Sequence, residues 1–440
     1  MDTASFRRGT IRPASLGEGD NVRDPLPPSS AAVLPPSFRR LVIAWAGSLT
    51  GDGLRLIALP LLAVSVNCSA AAVAAVAVAS SLPWLLVAIP AGALVDRLDP
   101  ARVMAAAHLV RAAFTLLLVA VVVAGTVTIP VLCAIGFAIT SAETFADGSA
   151  QSLLVRIVPH AVLERANARF VTVETLALDL AGPLAAGVLF VLAPWAPFAV
   201  SAGCFVGAAI TVGGIRTARP TDPGTAESEA IGILPGPLGQ VKAGLRRLLS
   251  DPVLRVLVIT VAVMAVANAA TDAVLVLYGT ETLAMSDALY PTLLVAYSIG
   301  TLTAATLVGR ASSRLRGGRV MIGALFGISA TMLVLGLLPN VVVALGAYAV
   351  MGLAGGTWNV LSATRRQRRT PRSMIARVSS AFRVIAWGVI PLGAALGGVV
   401  GQRWGVTAVY VIAGAVIAAF GLVVARSFLA AEPGPEPETA

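Results

Sequence analysis

Twelve apolar stretches, each long enough for a helix that crosses a bilayer, succeed one another along this chain. They lie at 41–66, 70–95, 103–124, 127–150, 168–192, 195–215, 253–279, 287–309, 320–338, 341–363, 378–401 and 405–428. Hydrophobic residues make up 57% of the 440 residues and charged residues only 12%, which is more apolar surface than a water-soluble domain buries. Because backbone groups in lipid must be hydrogen-bonded internally, the pattern predicts an all-α integral membrane protein with twelve transmembrane helices.

The distribution of arginine predicts the orientation in the membrane. Basic residues cluster in the connections that follow even-numbered stretches, whereas the connections at 67–70, 125–128 and 339–340 are short and nearly free of charge. Positively charged connections stay in the cytoplasm, so both termini are predicted to be cytoplasmic. The net charge of +10 is explained in this way, and no nucleic-acid partner is expected because the basic residues are not interleaved with aromatic ones.

The basic residues also suggest a source. Thirty-one of the 32 are arginine, with Lys242 the exception, and alanine is abundant. This composition is typical of a GC-rich bacterial genome, so the bacterial cytoplasmic (inner) membrane is the predicted location.

Two short repeats indicate a duplicated architecture. Residues 92–104 (GALVDRLDPARVM) and 309–321 (GRASSRLRGGRVM) both fit G-x4-R-L-x3-R-V-M, at an offset of 217 positions. A second pair, 158–167 and 370–379, shares P-x5-R at an offset of 212. The pattern predicts two pseudo-symmetric six-helix bundles of parallel topology, a layout typical of transporters whose halves move against each other.

Composition predicts the boundaries of the parts. Residues 1–38 are polar and Pro-rich, lack the apolar core of a signal peptide and are predicted to form a disordered cytoplasmic tail. The bundles are predicted at 39–216 and 253–428, and a second tail at 429–440. Residues 217–252 form the predicted linker, which ends in an amphipathic segment (LGQVKAGLRRLLSD) suited to the inner leaflet.

Ionisable residues inside the apolar stretches are the first candidates for function, because each costs about 2.5–3.5 kcal/mol on insertion scales. Asp52 and Arg55 are three residues apart. Either they neutralise each other, or Asp52 is a proton-coupling or substrate-cation site, for which it is the first candidate. Glu143 and Asp147 are four apart, and two like charges on one helix face favour keeping one protonated. Glu143 is therefore a proton-carrier candidate, while Asp147 is predicted to pair with a connecting arginine such as Arg97.

The remaining candidates lie on other stretches. Asp272, with Asn268 one turn earlier, lies on the seventh stretch at a depth comparable to Asp52. His108 and Arg111 on the third stretch are interpreted as packing or snorkelling residues. The other candidates for coupling or for a pocket that holds a large amphipathic ligand are Asp179, Arg383, Trp358, Asn359, Trp387 and Tyr297.

These residues and motifs resemble the major facilitator superfamily, which has two six-helix halves and a G-x-x-x-D-R-x-x-R-R/K motif between its second and third helices. Gly92, Asp96 and Arg97 match that motif, but its closing basic pair falls on Pro100-Ala101, and Arg102, the basic residue assigned to it, follows one position later. The second copy keeps Arg314 and Arg319 but has Ser313 where the first has Asp96. The stretches LTGDGLRLIALPLL, AETFADGSAQSLLVRIVP, GTWNVLSATRRQR and FRVIAWGVIPLGAALGG look like the branch of macrolide and enterobactin exporters.

The resemblance carries implications for individual residues. The first helix is expected to line the cavity, and Asp96, with Asp147 and the arginines of both motif copies, is expected to hold the cytoplasmic side closed. The AGPLAAG segment, with Gly182, Pro183 and Gly187, looks like the antiporter motif of the superfamily and implies export. Close packing of small residues is the alternative interpretation.

The sequence predicts a transporter and not an enzyme. It contains no HExxH motif, no Gly-rich phosphate loop with lysine and no Cys/His pair, so no cofactor or metal is expected and a proton gradient is the predicted energy source. The predicted function is proton-coupled multidrug efflux of an amphipathic small molecule, such as an antibiotic or natural product, by a monomeric antiporter. An uptake permease, or a membrane sensor or enzyme on a transporter fold, is the alternative.

Overall fold

The computed structural model describes residues 34–95, 98–159, 162–215, 237–311, 317–371 and 374–430, and helices account for nearly all of these. The predicted tails, the linker up to residue 236 and parts of both motif copies lie outside the described residues. The helices of the first half are α1 Pro36–Val66, α2 Ala70–Leu86, α3 Ala88–Val95, α4 Pro100–Val123, α5 Ile129–Ile157, α6 Leu163–Glu174, α7 Gly182–Leu192 and α8 Ala196–Gly213. Those that follow are α9 Pro237–Ser250, α10 Pro252–Ala273, α11 Leu275–Leu277, α12 Thr292–Ala311, α13 Gly317–Leu337, α14 Val341–Arg369, α15 Ile375–Gly388, α16 Ile390–Trp404 and α17 Val406–Ala430.

The helical architecture expected from the apolar pattern is confirmed. Ten helical segments in the described ranges are long and apolar enough to cross a membrane, and the shorter apolar helices Ala70–Leu86 and Thr292–Val308 occupy the second and eighth predicted positions. Large apolar side chains are exposed around the bundle; Ile210 is 72% exposed and Val342 is 78% exposed. Such a surface requires a lipid environment.

Equivalent helix pairs recur in the two halves. The third membrane-crossing helix of each half packs on the sixth, α4 on α8 and α13 on α17. The second packs on the fourth, α2 on α5 and α12 on α14. Between the halves, α2 packs on α16, and α12 packs on α7 and on the residues that precede it. The same pairing order in both halves is the structural counterpart of the parallel sequence repeat.

The fifth membrane-crossing helix is irregular where it approaches the first. Thr175–Ala181 is a π-helical segment, and Pro183 follows it at the start of α7. Proline cannot donate to the carbonyl four residues earlier, which belongs to Asp179, so the helical ladder is interrupted there. Beside the interruption Gly182 lies against Gly53 of α1, and a Cβ atom on Gly182 would meet the Gly53 Cα at 2.6 Å.

We expect Gly182→Ala to destabilise the protein by about 1–3 kcal/mol, because the contact with α1 leaves no room for a methyl group. Thermal unfolding of the purified protein in detergent measures this effect. Gly207→Ala is the matched control, since a Cβ atom on Gly207 of α8 meets nothing within 4 Å. Equal melting temperatures for the two variants would contradict the close contact.

The described part of the linker forms a helix that joins the second half. In α9, Gly244 lies against the backbone carbonyl of Arg377 on α15. Asp251 then caps α10 by accepting from the backbone N–H of Val253 at 2.9 Å and of Leu254 at 3.2 Å. A helix is therefore present at Pro237–Ser250, and its role as an amphipathic helix on the inner leaflet stays a prediction.

Candidate functional site

A cavity of about 750 Å³ lies between the two halves. The first half lines it with residues of α1, α2 and α5, and the second half lines it with residues of α10, α12, α14, α15 and α16. The polar and aromatic side chains at its wall are Asp52, Arg55, Ser80, Ser81, Trp84, Thr140, Glu143, Asn268, Thr271, Asp272, Tyr290, Tyr297, Tyr348 and Trp387. The remainder of the wall is apolar, so the cavity is suited to an amphipathic ligand.

A deeply buried ion pair beside the cavity joins α1 to α4. Arg111 of α4 is fully buried and donates through Nη2 to the Asp52 carboxylate. Its Nη1 donates to the Ser48 hydroxyl at 2.8 Å, and its guanidinium lies 3.9 Å from the centre of the Phe205 ring. The fully buried guanidinium is therefore stabilised by a carboxylate, a hydroxyl and an aromatic face.

A second ion pair adjoins the first and connects α1 to α5. Arg55 donates through Nη2 to Glu143 Oε2 at 2.6 Å, and the same Nη2 lies 3.5 Å from Asp52 Oδ1. Arg111 Nη2 is 3.9 Å from Glu143 Oε2, which closes the set. We call Asp52, Arg55, Arg111 and Glu143 the charge cluster; with both carboxylates ionised its formal charge is zero.

Of the two sequence interpretations of Arg111, packing and snorkelling, snorkelling is wrong, because the side chain is fully buried, packs against Phe205 and pairs with Asp52. At a rise of about 1.5 Å per residue, Arg111 lies about 17 Å from either end of α4, too far for its side chain to reach a membrane surface. Depth in the apolar stretch is therefore the signal that could have identified it. The sequence left open whether Asp52 and Arg55 neutralise each other. In the structure the nearest ionic partner of Asp52 is Arg111 and that of Arg55 is Glu143.

The second half contributes one carboxylate to the cavity wall, that of Asp272 on α10. Within the described part of the chain, no ion pair or side-chain hydrogen bond reaches it. Tyr297 and Tyr348 line the same cavity and lie within electrostatic range of it. Asn268, one turn earlier on α10, is also at the wall, as the sequence predicted for a cavity residue.

The structure does not place all the predicted pocket residues at the cavity. Trp358 is buried, edge to face with Phe428, and the neighbouring Asn359 is exposed, so neither lines the cavity. They lie two turns beyond Met351 on α14, about 10 Å further along the helix axis, where the cavity does not reach. Tyr297 and Trp387, which the sequence also suggested, do line it.

Two further residues predicted from the sequence, Asp179 and Arg383, do not line the cavity. Asp179 is in the π-helical segment, within electrostatic range of Tyr297, but it is not part of the wall. Arg383 on α15 is exposed and within electrostatic range of Arg366, and it is not part of the wall.

The residues of the predicted cytoplasmic gate are only partly described. Asp96, Arg97 and Arg314 lie outside the described residues. Arg102 is exposed and pairs with Asp99 at 3.8 Å, and Arg319 is exposed at the start of α13. Gly92 lies on α3 with open space around it, and Asp147, one turn from Glu143, is within electrostatic range of Arg111.

The two halves are in contact at the arginine-poor end of the bundle, defined by the turns at 67–69, 124–128, 338–340 and 405. Cys68 Sγ donates to Glu281 Oε1 at 3.3 Å, and the Gln402 side-chain oxygen accepts from the backbone N–H of Ala71 at 3.4 Å. Burial raises the pKa of the Cys68 thiol, as do the hydrogen bond and the charge of Glu281, so the thiol stays protonated as the donor. Gly187 of the antiporter-like segment lies against backbone oxygens at 287–288 of the second half.

The fold and the cavity between two six-helix halves define a membrane transporter of the major facilitator type. The chain belongs to the MFS_3 family, described as "Transmembrane secretion effector", which matches residues 29–434. It is 28% identical over 349 residues to the "Uncharacterized MFS-type transporter y4rN" of Sinorhizobium fredii (strain NBRC 101917 / NGR234), covering 76% of this chain and 81% of that one.

Solved structures confirm the same fold. A bacterial homologue of the human lysosomal transporter Spinster, inward-facing and unoccupied, has a TM-score of 0.66 at 13% identity and covers 91% of this chain and 98% of its own. The nucleoside transporter NupG has a TM-score of 0.68 at 14% identity and covers 90% and 99%. These relatives are transporters and not enzymes, and this chain is a multi-pass membrane transporter.

Proposed function

We propose that this transporter exports an amphipathic small molecule, such as an antibiotic or another natural product, from the bacterial cytoplasm in exchange for protons. The cavity supports alternating access, in which the two halves open it in turn to either side of the inner membrane. The proton gradient supplies the energy, at about 2.3 kcal/mol per charge per 100 mV, and no cofactor is required. The resemblance to macrolide and enterobactin exporters supports this choice of cargo.

The observation that carries the proposal is the charge cluster at the cavity wall. Two carboxylates and two guanidiniums are held out of bulk water by helices α1, α4 and α5, and their formal charges cancel. Buried ion pairs contribute little net stability, so their presence in an apolar bundle favours a functional role. Adding one proton to the cluster leaves a positive charge uncompensated and changes which groups pair.

Glu143 is the proposed proton acceptor within the cluster. The side chain of Glu143 is 14% exposed and that of Asp52 is 6% exposed. Both carboxylates lie within 4 Å of both arginines, but Asp52 bonds directly to the fully buried Arg111, whereas Glu143 is 3.9 Å from it. Asp52, the first choice from the sequence, is therefore proposed as the group that holds Arg111 and receives Arg55. When Glu143 is protonated its bond to Arg55 weakens, and Arg55 turns toward Asp52, 3.5 Å away.

Export is the proposed direction for two reasons. The family is described as a secretion effector, and the segment with Gly182, Pro183 and Gly187 resembles the antiporter motif. This segment contacts α1 through Gly182 and the second half through Gly187, so it joins the helix of Asp52 and Arg55 to the contact between the halves at the arginine-poor end. A shift of α1 on protonation is thereby coupled to the contact between the halves.

The test is accumulation of the fluorescent amphipathic cation ethidium in bacteria that express the protein. We expect lower accumulation than in cells expressing the Glu143→Gln variant at equal membrane abundance, and an uncoupler should abolish the difference. Higher, uncoupler-sensitive accumulation in cells with the wild-type protein would mean uptake. No difference between the two strains would contradict proton-coupled export.

A further inference from the structure

We infer that Asp272, together with Tyr297 and Tyr348, forms a docking subsite for the positively charged group of a monocationic organic substrate. The inference rests on the proposed function, because it treats the cavity as the path of the transported molecule. Proton transfer and substrate binding are thereby assigned to different halves of the protein. The charge cluster of the first half takes up and releases the proton, and Asp272 of the second half binds the cation.

The balance of charge at the cavity wall favours this assignment. The carboxylates of Asp52 and Glu143 each have an arginine partner in the cluster. Asp272 has none in the described part of the chain, yet it faces the cavity and its side chain is exposed there. An ionised carboxylate between apolar walls requires a counter-charge, and a single bound cation supplies one.

The aromatic residues around Asp272 fit an organic cation better than a metal ion. Tyr297 and Tyr348 line the cavity within electrostatic range of the carboxylate. The Tyr348 hydroxyl is hydrogen-bonded to the Tyr410 hydroxyl at 3.0 Å, so what Tyr348 offers to the cavity is its ring. Aromatic rings beside a carboxylate attract alkylammonium and phosphonium groups, whereas hard metal ions require several oxygen ligands.

The backbone adds negative potential at the same place. Helix α10 ends at Ala273, one residue after Asp272, and the chain is non-helical at Val274 before α11 begins. The C-terminal end of a helix carries partial negative charge, and interrupted helices commonly form ion and substrate sites in transporters. The carboxylate and the helix end therefore attract a cation at one point of the wall.

The aromatic part of the wall that α2 and α15 contribute is suited to the apolar body of such a molecule. Trp84 of α2 and Trp387 of α15 meet edge to face across the two halves, with ring centres 4.8 Å apart, and both line the cavity. An amphipathic cation can therefore contact Asp272 with its charge and the tryptophan pair with its rings. A bound molecule in this position touches both halves and is placed to respond to their movement.

The test is equilibrium binding to the purified full chain in detergent, without a gradient and corrected for binding to empty micelles. Tetraphenylphosphonium and tetraphenylborate are the probes, because they share size and shape but have opposite charge. We expect the wild type to bind the phosphonium at least about tenfold more tightly than the borate, a difference equivalent to about 1.4 kcal/mol. Asp272→Asn should remove that preference, and Asp272→Glu should retain most of it.

Asp251→Asn is the matched control. It makes the same chemical change at the opposite end of α10, where asparagine caps a helix as well as aspartate does. It should bind both probes as the wild type does, and melting temperatures verify that all variants are folded. Unchanged phosphonium binding by Asp272→Asn, equal loss in Asp251→Asn, or absence of charge preference in the wild type would overturn the subsite. Because no gradient is involved, binding can succeed where export fails, and the reverse, so the two proposals are tested separately.

Discussion

Replacing Arg111 with leucine is expected to lower the free energy of unfolding by about 3–5 kcal/mol, the usual cost of removing one partner of a buried ion pair. The substitution leaves the Asp52 carboxylate with only Arg55, at 3.5 Å, in a site without bulk water. It also empties the space against Phe205 and Ser48. Thermal unfolding in detergent, followed by the loss of monodisperse protein on size-exclusion chromatography, measures the change.

Two further variants make this prediction specific to the ion pair. Arg102 lies on the same helix, and its side chain is 89% exposed. Arg102→Leu should therefore change the free energy of unfolding by no more than about 0.5 kcal/mol. The double variant Asp52→Asn/Arg111→Gln removes both charges and should recover most of the lost stability. A double variant as unstable as Arg111→Leu would show that packing, and not the charge, holds this site together.

Glu143→Gln is expected to reduce transport driven by a pH gradient by about tenfold or more, because glutamine can neither take up nor release a proton. Its amide oxygen still accepts from Arg55, so folding and membrane abundance should stay close to those of the wild type. Exchange of radiolabelled tetraphenylphosphonium between equal concentrations on the two sides of a liposome needs no net proton movement, and the part of it that exceeds exchange across protein-free liposomes should persist. The variant therefore separates coupling from movement of the cargo.

Glu281→Gln is the control for this experiment. Glu281 lies at the arginine-poor end away from the cavity wall, and the glutamine oxygen can still accept from Cys68. Its gradient-driven transport should equal that of the wild type. If Glu143→Gln retains full gradient-driven transport, Glu143 is not the proton acceptor and Asp52 becomes the candidate.

Local patterns in the sequence were sufficient to predict the helices, since a membrane-crossing helix is encoded by its own residues. The apolar stretches locate the helices, and the offset of the two repeats predicts their equivalent pairing in the two halves. The depth of Asp52, Glu143 and Asp272 in their stretches likewise identified them as cavity candidates. All three lie at the cavity wall.

The partners of these residues depend on contacts between helices and could not be deduced in the same way. Arg55 has Asp52 as a neighbour in sequence, but its closest acceptor is Glu143 on another helix. Trp358 shares nearly one face of α14 with Met351, but it lies about 10 Å further along the axis, where it packs on Phe428 and the cavity does not reach. How far a cavity extends along a helix is decided by the neighbouring helices, so the sequence pattern did not reveal it.

The most direct measurement of proton-coupled export uses inside-out membrane vesicles with an acidified lumen, monitored by a fluorescent pH indicator. In vesicles that contain the wild-type protein, added tetraphenylphosphonium should raise the lumenal pH as protons leave in exchange for the cation. Vesicles with Glu143→Gln should show no such change. A lumenal pH that responds equally in wild-type vesicles, variant vesicles and vesicles without the protein would contradict the account.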